Sequence, residues 1–199
     1  MKTAVLLLFA LAQCGFGATN LSTIAISDWS SAVGTTSPGG GSLRARLLIY
    51  EEYSPGNGGK APETLIYVDL ENVGLRDLKV YCDFQTGLQC ELRDAKNRPP
   101  PLAGSGGDGG FPAPHWITLP RDSSARLRAS WFGYGMAKQE GLKLPFFNAL
   151  ILKAENTNQY SLSCTFTVAP PTNSFDPSDL SIWTGTLKFP EIKLSAKGP

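Results

Sequence analysis

"KVYCDFQTGLQCELRD" (Lys79–Asp94) carries two of the four cysteines of this 199-residue chain. Leu78, Val80, Cys82 and Phe84 alternate with polar residues, and so do Leu88, Cys90 and Leu92. That is the period of a half-buried strand. Between the two runs lies "QTG", a three-residue hairpin loop with Gly87 at the position that takes a positive φ. This register sets Phe84 opposite Leu88, Cys82 opposite Cys90 and Val80 opposite Leu92. The two cysteines become cross-strand neighbours on the buried face, within disulfide reach.

The same period continues outward from this stretch. "LRARLLIYEE" (43–52), "ETLIYVDLENVG" (63–74), "HWITL", "ARLRASWF", "QYSLSCTFTV" and "IWTGTLKFPEIKL" are short, β-rich and separated by turn residues. Ile66, Val68 and Leu70 form the better core stripe of the second run. The stripe Tyr160, Leu162, Cys164, Phe166 and Val168 points a further cysteine inward. No apolar stripe at helical spacing is sustained, and Gly141 and Pro145 interrupt the one segment that comes near it. Strands with polar turns and no crossover helices imply an antiparallel β-sandwich.

Some of these stretches carry a resemblance. Leu70-Glu71-Asn72-Val73-Gly74 is similar to the second strand of immunoglobulin-like bacterial sandwich modules. "ITLPRDSSARLRASW" (Ile117–Trp131) looks like their strand, Pro-containing turn and strand. "YSLSCTFTV" and "WTGTL" resemble their last two strands. Over residues 43–194 the chain is weakly similar to BsuPI-type proteinase inhibitor modules. The resemblance implies an all-β, immunoglobulin-like sandwich of about 7–9 strands. It also implies a sheet order with the Cys82 strand between the other two cysteine strands, which keeps Cys82–Cys164 beside Cys82–Cys90 as a pairing. Tyr160 stands four residues before Cys164, not two as in antibody-type domains. The long loop Phe132–Asn158 has no counterpart in the compact modules.

The N-terminal "MKTAVLLLFALAQCGFG" reads as a secretory signal peptide over residues 1–17. It has one lysine, a short apolar run, and Gly15 and Gly17 before the cleavage point. "LAQC" (Leu11–Cys14) also resembles a lipoprotein box, which would place a lipid anchor at Cys14. Residues 18–42, rich in Ser, Thr and Gly, read as a flexible arm in which "STIAIS" could add an edge strand. The β-domain then spans 43–194 and a tail 195–199. No later run is long enough for a membrane span. Loss of Lys2 from the 18 basic residues balances them against the 17 acidic ones. With no basic patch, nucleic acid is not an expected partner.

Little chemistry follows from the side chains. A zinc site or a redox pair would need a tighter cysteine spacing than the one at Cys82 and Cys90. His115 lacks a Gly-x-Ser-x-Gly partner motif. Glu51–Glu52 and Asp176/Ser178/Asp179 fit solvated faces, and the latter lack calcium-loop spacing. The expectation is therefore no enzyme, no cofactor, no metal, and Cys82–Cys90 as a structural disulfide. Candidate binding residues are the aromatics Trp131, Phe132, Tyr134, Phe146 and Phe147. A Pro- and Gly-rich loop at 97–114 is the second candidate. The expected role is a secreted or cell-envelope interaction module with a protein or carbohydrate partner. The alternatives are an inhibitor that presents a loop and a carbohydrate-binding module. Intact-mass measurement on the protein from its native host should give a chain starting at Ala18. An unprocessed Met1 would overturn export, and a diacylglycerol on Cys14 would identify a lipoprotein.

Overall fold

The alternating runs do become strands. A computed structural model describes residues 20–34, 41–53, 63–99, 108–133, 143–144, 150–151, 159–173, 179 and 181–195. In chain order these form β1 (Asn20–Ile26), β2 (Val33–Gly34), β3 (Ser42–Tyr53), β4 (Glu63–Asn72) and β5 (Leu78–Cys82). A four-residue helix, α1 (Phe84–Gly87), precedes β6 (Leu88–Arg93), β7 (Asp108–Gly110), β8 (His115–Leu119) and β9 (Ser124–Gly133). Then come β10 (Lys143–Leu144), β11 (Leu150–Ile151), β12 (Gln159–Val168), β13 (Ile182–Trp183), β14 (Gly185–Lys188) and β15 (Ile192–Ser195).

The first sheet runs β1-β3-β4-β9-β7, with β2 also paired to β3. The second is β13-β5-β8. In the third, β6 pairs one side of β12 while β14 and β15 follow one another along the other. Pro190 separates those two because it has no N–H to give the ladder. Phe189 still donates to the Cys164 carbonyl at 3.0 Å. β10 and β11 pair with each other. Every pairing is antiparallel except β13 with β5. Among the described residues, no helix is long and apolar enough to cross a membrane.

Alternation delivers one shared core. Leu43, Ala45, Leu47 and Ile49 of β3 meet Ile66, Val68 and Leu70 of β4 in it. So do Val80 of β5, Leu162, Phe166 and Val168 of β12, and Trp183 and Leu187. The expected stripe of Val68, Leu70, Val80, Leu92, Leu162 and Phe166 is buried throughout. Phe166 stacks on Phe84 with ring centroids 4.9 Å apart.

The stretch 79–94 departs from its expected hairpin. Asp83 sits in extended backbone and its carboxylate accepts from the N–H groups of Gln85 and Thr86. This is an N-cap, so Phe84–Gly87 winds into a helical turn. Gly87 has no positive φ. Its need for glycine is steric: a Cβ there would collide with the Thr167 carbonyl and come within 3.1 Å of Phe166. The turn sends β5 and β6 into different sheets, so Cys82 does not face Cys90. Cys90 is instead opposite Cys164, and these two form the disulfide, with Cα atoms 4.2 Å apart. Cys164 directs its carbonyl to Phe189 on its other side, so Cys90 and Cys164 form a non-hydrogen-bonded pair, the closer kind. Cys82 is a buried free thiol.

Within the expected arm, the edge strand read at "STIAIS" forms as part of β1. β1 pairs with β3 from Asn20↔Tyr53 to Ile26↔Leu48, and β2 continues along the same strand at Val33↔Leu43. Residues 1–19, which hold the expected signal peptide and Cys14, lie outside the described residues.

Two outcomes follow. Phe166→Ala should cost about 3–5 kcal/mol in denaturant melts, from lost burial plus a cavity beside Phe84. Non-reducing peptide mapping should give a Cys90–Cys164 linked peptide. Replacing both by Val should lose about 4 kcal/mol, because the closed loop of sequence separation 74 is long.

Candidate functional site

Two exposed faces hold concentrated side-chain chemistry. The first is the outward face of the first sheet. Between β1 and β2 the chain leaves β3, yet the N–H groups of β3 stay paired. Leu47 N–H donates to the Ser27 hydroxyl at 2.9 Å, and Ala45 N–H donates to that of Ser30 at 3.0 Å. In return Ser27 and Ser30 donate their own N–H groups to the Leu47 and Ala45 carbonyls. Both serines are buried. They hold Trp29 over the sheet, where the guanidinium carbons of Arg44 and Arg46 lie 5.0 and 4.7 Å from its ring centroid. Such contacts add about 0.5–1 kcal/mol each at exposed sites.

The register aligns charges beneath this ring. Arg44 pairs with Glu71 at 2.7 Å. Asp69 lies between Arg46 on β3 and Arg126 on β9, at 2.9 and 2.8 Å. Burial raises the Asp69 pKa, but the bonds from Arg126 and Arg46 outweigh it and hold the carboxyl below its ordinary value. Arg126 is raised in turn, chiefly by its bond to Asp69. The carboxylates here are consumed by arginines, so the face is built for rigidity.

The second face is the edge of the second sheet. Lys79 N–H donates to the Ser181 carbonyl at 2.8 Å, so the backbone groups of Lys79 point to β13. Backbone direction alternates along a strand, so Leu78, Val80 and Cys82 address β8 through Leu119, Ile117 and His115. The N–H and C=O groups of Trp116 and Thr118 therefore point away from β5, off the edge. Both side chains are exposed too, with Trp116 at 38%. Trp116 lies against Tyr81 of β5, centroids 5.2 Å apart and planes tilted by 55°. Beside this pair, the Ser181 hydroxyl and the Lys79 ammonium hold Asp179 down at about 2.

The sequence-derived candidates fall as follows. Trp131 and Phe132 lie on β9, in register with Leu65 and Thr64 of β4 and with Gly110 and Gly109 of β7. Tyr134, Phe146 and Phe147 lie outside the described residues, as do Asp176, Ser178 and residues 100–107 of the Pro/Gly loop. The rest of that loop is partly structured. Asp94 fastens its base by accepting from Lys96, Arg98 and the Arg98 side chain, and Asp108–Gly110 joins β9 as β7. His115 stands opposite Cys82, but its Nδ1 lies 2.9 Å from the Ala113 carbonyl and donates there. Burial pushes the Cys82 thiol up to about 12, so it stays protonated and inert. Among the described residues, no group of three His, Cys, Asp or Glu side chains converges as a metal site would. Trp29 and Trp116 were not singled out by sequence. Trp116 lay in plain view in "HWITL", but only the strand order β13-β5-β8 shows that it stands on an edge among the described residues.

Comparison of the chain with protein-family models, with curated proteins and with solved structures finds no match.

The Asp69 cluster carries a signed pH dependence. Its folded pKa lies below its unfolded one, so its stabilisation is complete above the ordinary carboxylate range. It is lost as pH falls through the folded value. Asp69→Asn should lower stability at neutral pH by about 1–2 kcal/mol, between an exposed and a buried pair. In urea melts the gap between wild type and variant should close as pH drops below about 4.

Proposed function

We propose that the chain is an exported, non-catalytic β-sandwich of the immunoglobulin-like kind. It serves in the cell envelope or outside the cell as an interaction module and engages a protein partner by strand addition at β8. The observation that carries this is the edge at Trp116 and Thr118, where outward backbone groups without a strand partner among the described residues coincide with exposed side chains. Added strands gain affinity from backbone hydrogen bonds and specificity from alternate side chains. The Cys90–Cys164 disulfide agrees with an oxidising compartment, since such bonds persist there.

A carbohydrate partner has one supporting feature, the exposed Trp116 against a half-buried Tyr81. Its 55° tilt leaves the two rings far from coplanar, where a sugar chain needs a flat platform, so a protein partner is preferred. The loop aromatics Trp131, Phe132, Tyr134, Phe146 and Phe147 stay within the carbohydrate reading. Inhibition of a proteinase by the 97–114 loop draws support from its base held by Asp94.

The test is a photo-crosslinking amino acid placed at Thr118 in the chain expressed by its native host. A control carries it at Lys188, on a different strand edge. Protein adducts should form at 118 and not at 188. Equal or absent labelling at 118 would overturn the β8 interface.

A further inference from the structure

The edge strand is bounded with unusual symmetry. Ile117 is its centre, and Pro114 and Pro120 stand three residues to either side. Pro114 precedes the strand at the outward parity of Trp116 and Thr118, and Pro120 ends it, where the chain turns and the Pro120 carbonyl accepts from Ser123 and Asn72. A proline has no N–H to lend to an added strand. The usable edge is thus two residues wide, Trp116 and Thr118, and the span from 115 to 119 carries no Lys, Arg, Asp or Glu. Edges are commonly blunted by charges on the strand itself, and here only the length is limited.

We infer that the partner of β8 is β8 of a second copy of this chain, paired antiparallel across a two-fold axis through Ile117. This rests on the proposed role of β8 as a docking edge and names its occupant. The outward groups fit their own image. Under the two-fold, Trp116 faces Thr118 of the other copy and Thr118 faces its Trp116. Each such pair exchanges both N–H···O bonds, which makes four in all. Ile117 faces its own copy as a non-hydrogen-bonded pair. The next outward pair would set Pro114 against Pro120, neither with an N–H, so the ladder ends where the free groups end. A longer foreign strand would gain no N–H donor from β8 beyond these residues.

The side chains agree with this register. Trp116 is exposed, and in the paired sheet the two Trp116 rings become diagonal neighbours on one face, within reach of each other. Tyr81 flanks each ring from the next strand, so the joined sheet presents four aromatic rings in a row. No like charges meet at the seam. One five-residue strand per copy is a small interface, so association should be weak and reversible.

Sedimentation velocity on the mature, disulfide-bonded chain, from low to high micromolar concentration, tests this. A monomer–dimer equilibrium is expected. Thr118 lies in a non-hydrogen-bonded pair with Lys79, so Thr118→Pro leaves the β5–β8 bonds intact and removes only edge donors. Loss of two of the four bonds should weaken association about thirtyfold. Circular dichroism and melts check that the variant folds. If it does not, Trp116→Lys supplies the test by setting two ammonium groups on neighbouring sites of the seam. In wild type the Trp116 and Thr118 amides should gain protection from hydrogen exchange as concentration rises. A chain monomeric throughout the range, or a dimer unaffected by these changes, overturns the self-pairing. A monomer that still forms adducts with another protein at 118 leaves the docking edge standing and refutes only its occupant.

Discussion

The Asp83 carboxylate holds the fold at its branching point. By accepting from the Gln85 and Thr86 N–H groups it turns four residues into a helix, where a hairpin would have closed. A hairpin would have kept β5 and β6 side by side in one sheet. The turn lifts the chain across the core, so β5 joins β8 and β13 while β6 joins β12. The cap works only because the turn is also seated. Phe84 stacks on Phe166, and Gly87 lies against the Thr167 carbonyl, where no side chain fits. An N-cap contributes about 1 kcal/mol, far less than the core around it. Its effect is directional: it selects which two of the three described cysteines can meet.

The other polar groups inside the protein repeat this economy. Asn72 is fully buried and its side chain makes four bonds. Its amide donates to the carbonyls of Arg76, Leu119 and Pro120, and its Oδ1 accepts from Gly74 N–H. One residue thereby fastens the β4–β5 turn to the end of β8, and both the edge and its proline boundary inherit their position from it. Ser27 and Ser30 do the same for the broken edge of the first sheet, where hydroxyls stand in for the missing backbone acceptors. A buried polar group is costly unless paired, so each of these residues has little freedom to vary.

Much of the architecture was legible in the sequence, because burial has a period and the period is visible. The stripes of β4, β5 and β12 could be read directly, down to Val68 and Phe166. Connectivity was less legible. "DFQTG" between two apolar runs fits both a hairpin with a glycine turn and an Asp-capped helical turn, and local pattern does not separate them. Gly87 was recognised as special, but for its φ and not for the carbonyl pressed against it, a contact that depends on β12 some eighty residues later. Ser27 and Ser30 looked like linker composition because their acceptor roles exist only beside β3. The site was least legible of all. An edge is a property of strand order, and the order here turns on a two-residue parallel contact between β13 and β5.

That contact also fixes which groups of β8 face outward. β5 lies between β13 and β8, and strand direction fixes which groups face which neighbour. Once Lys79 is committed to Ser181, the alternation turns the backbone groups of Trp116 and Thr118 to the outer side, where no strand pairs among the described residues. A strand long enough to present many such groups would invite indiscriminate pairing. Pro114 and Pro120 reduce the offer to two residues, and the Asn72 bonds keep Leu119 and Pro120 from shifting that frame. The edge is therefore open and short by the same set of constraints. The self-pairing inferred above would match this two-residue edge with its own image.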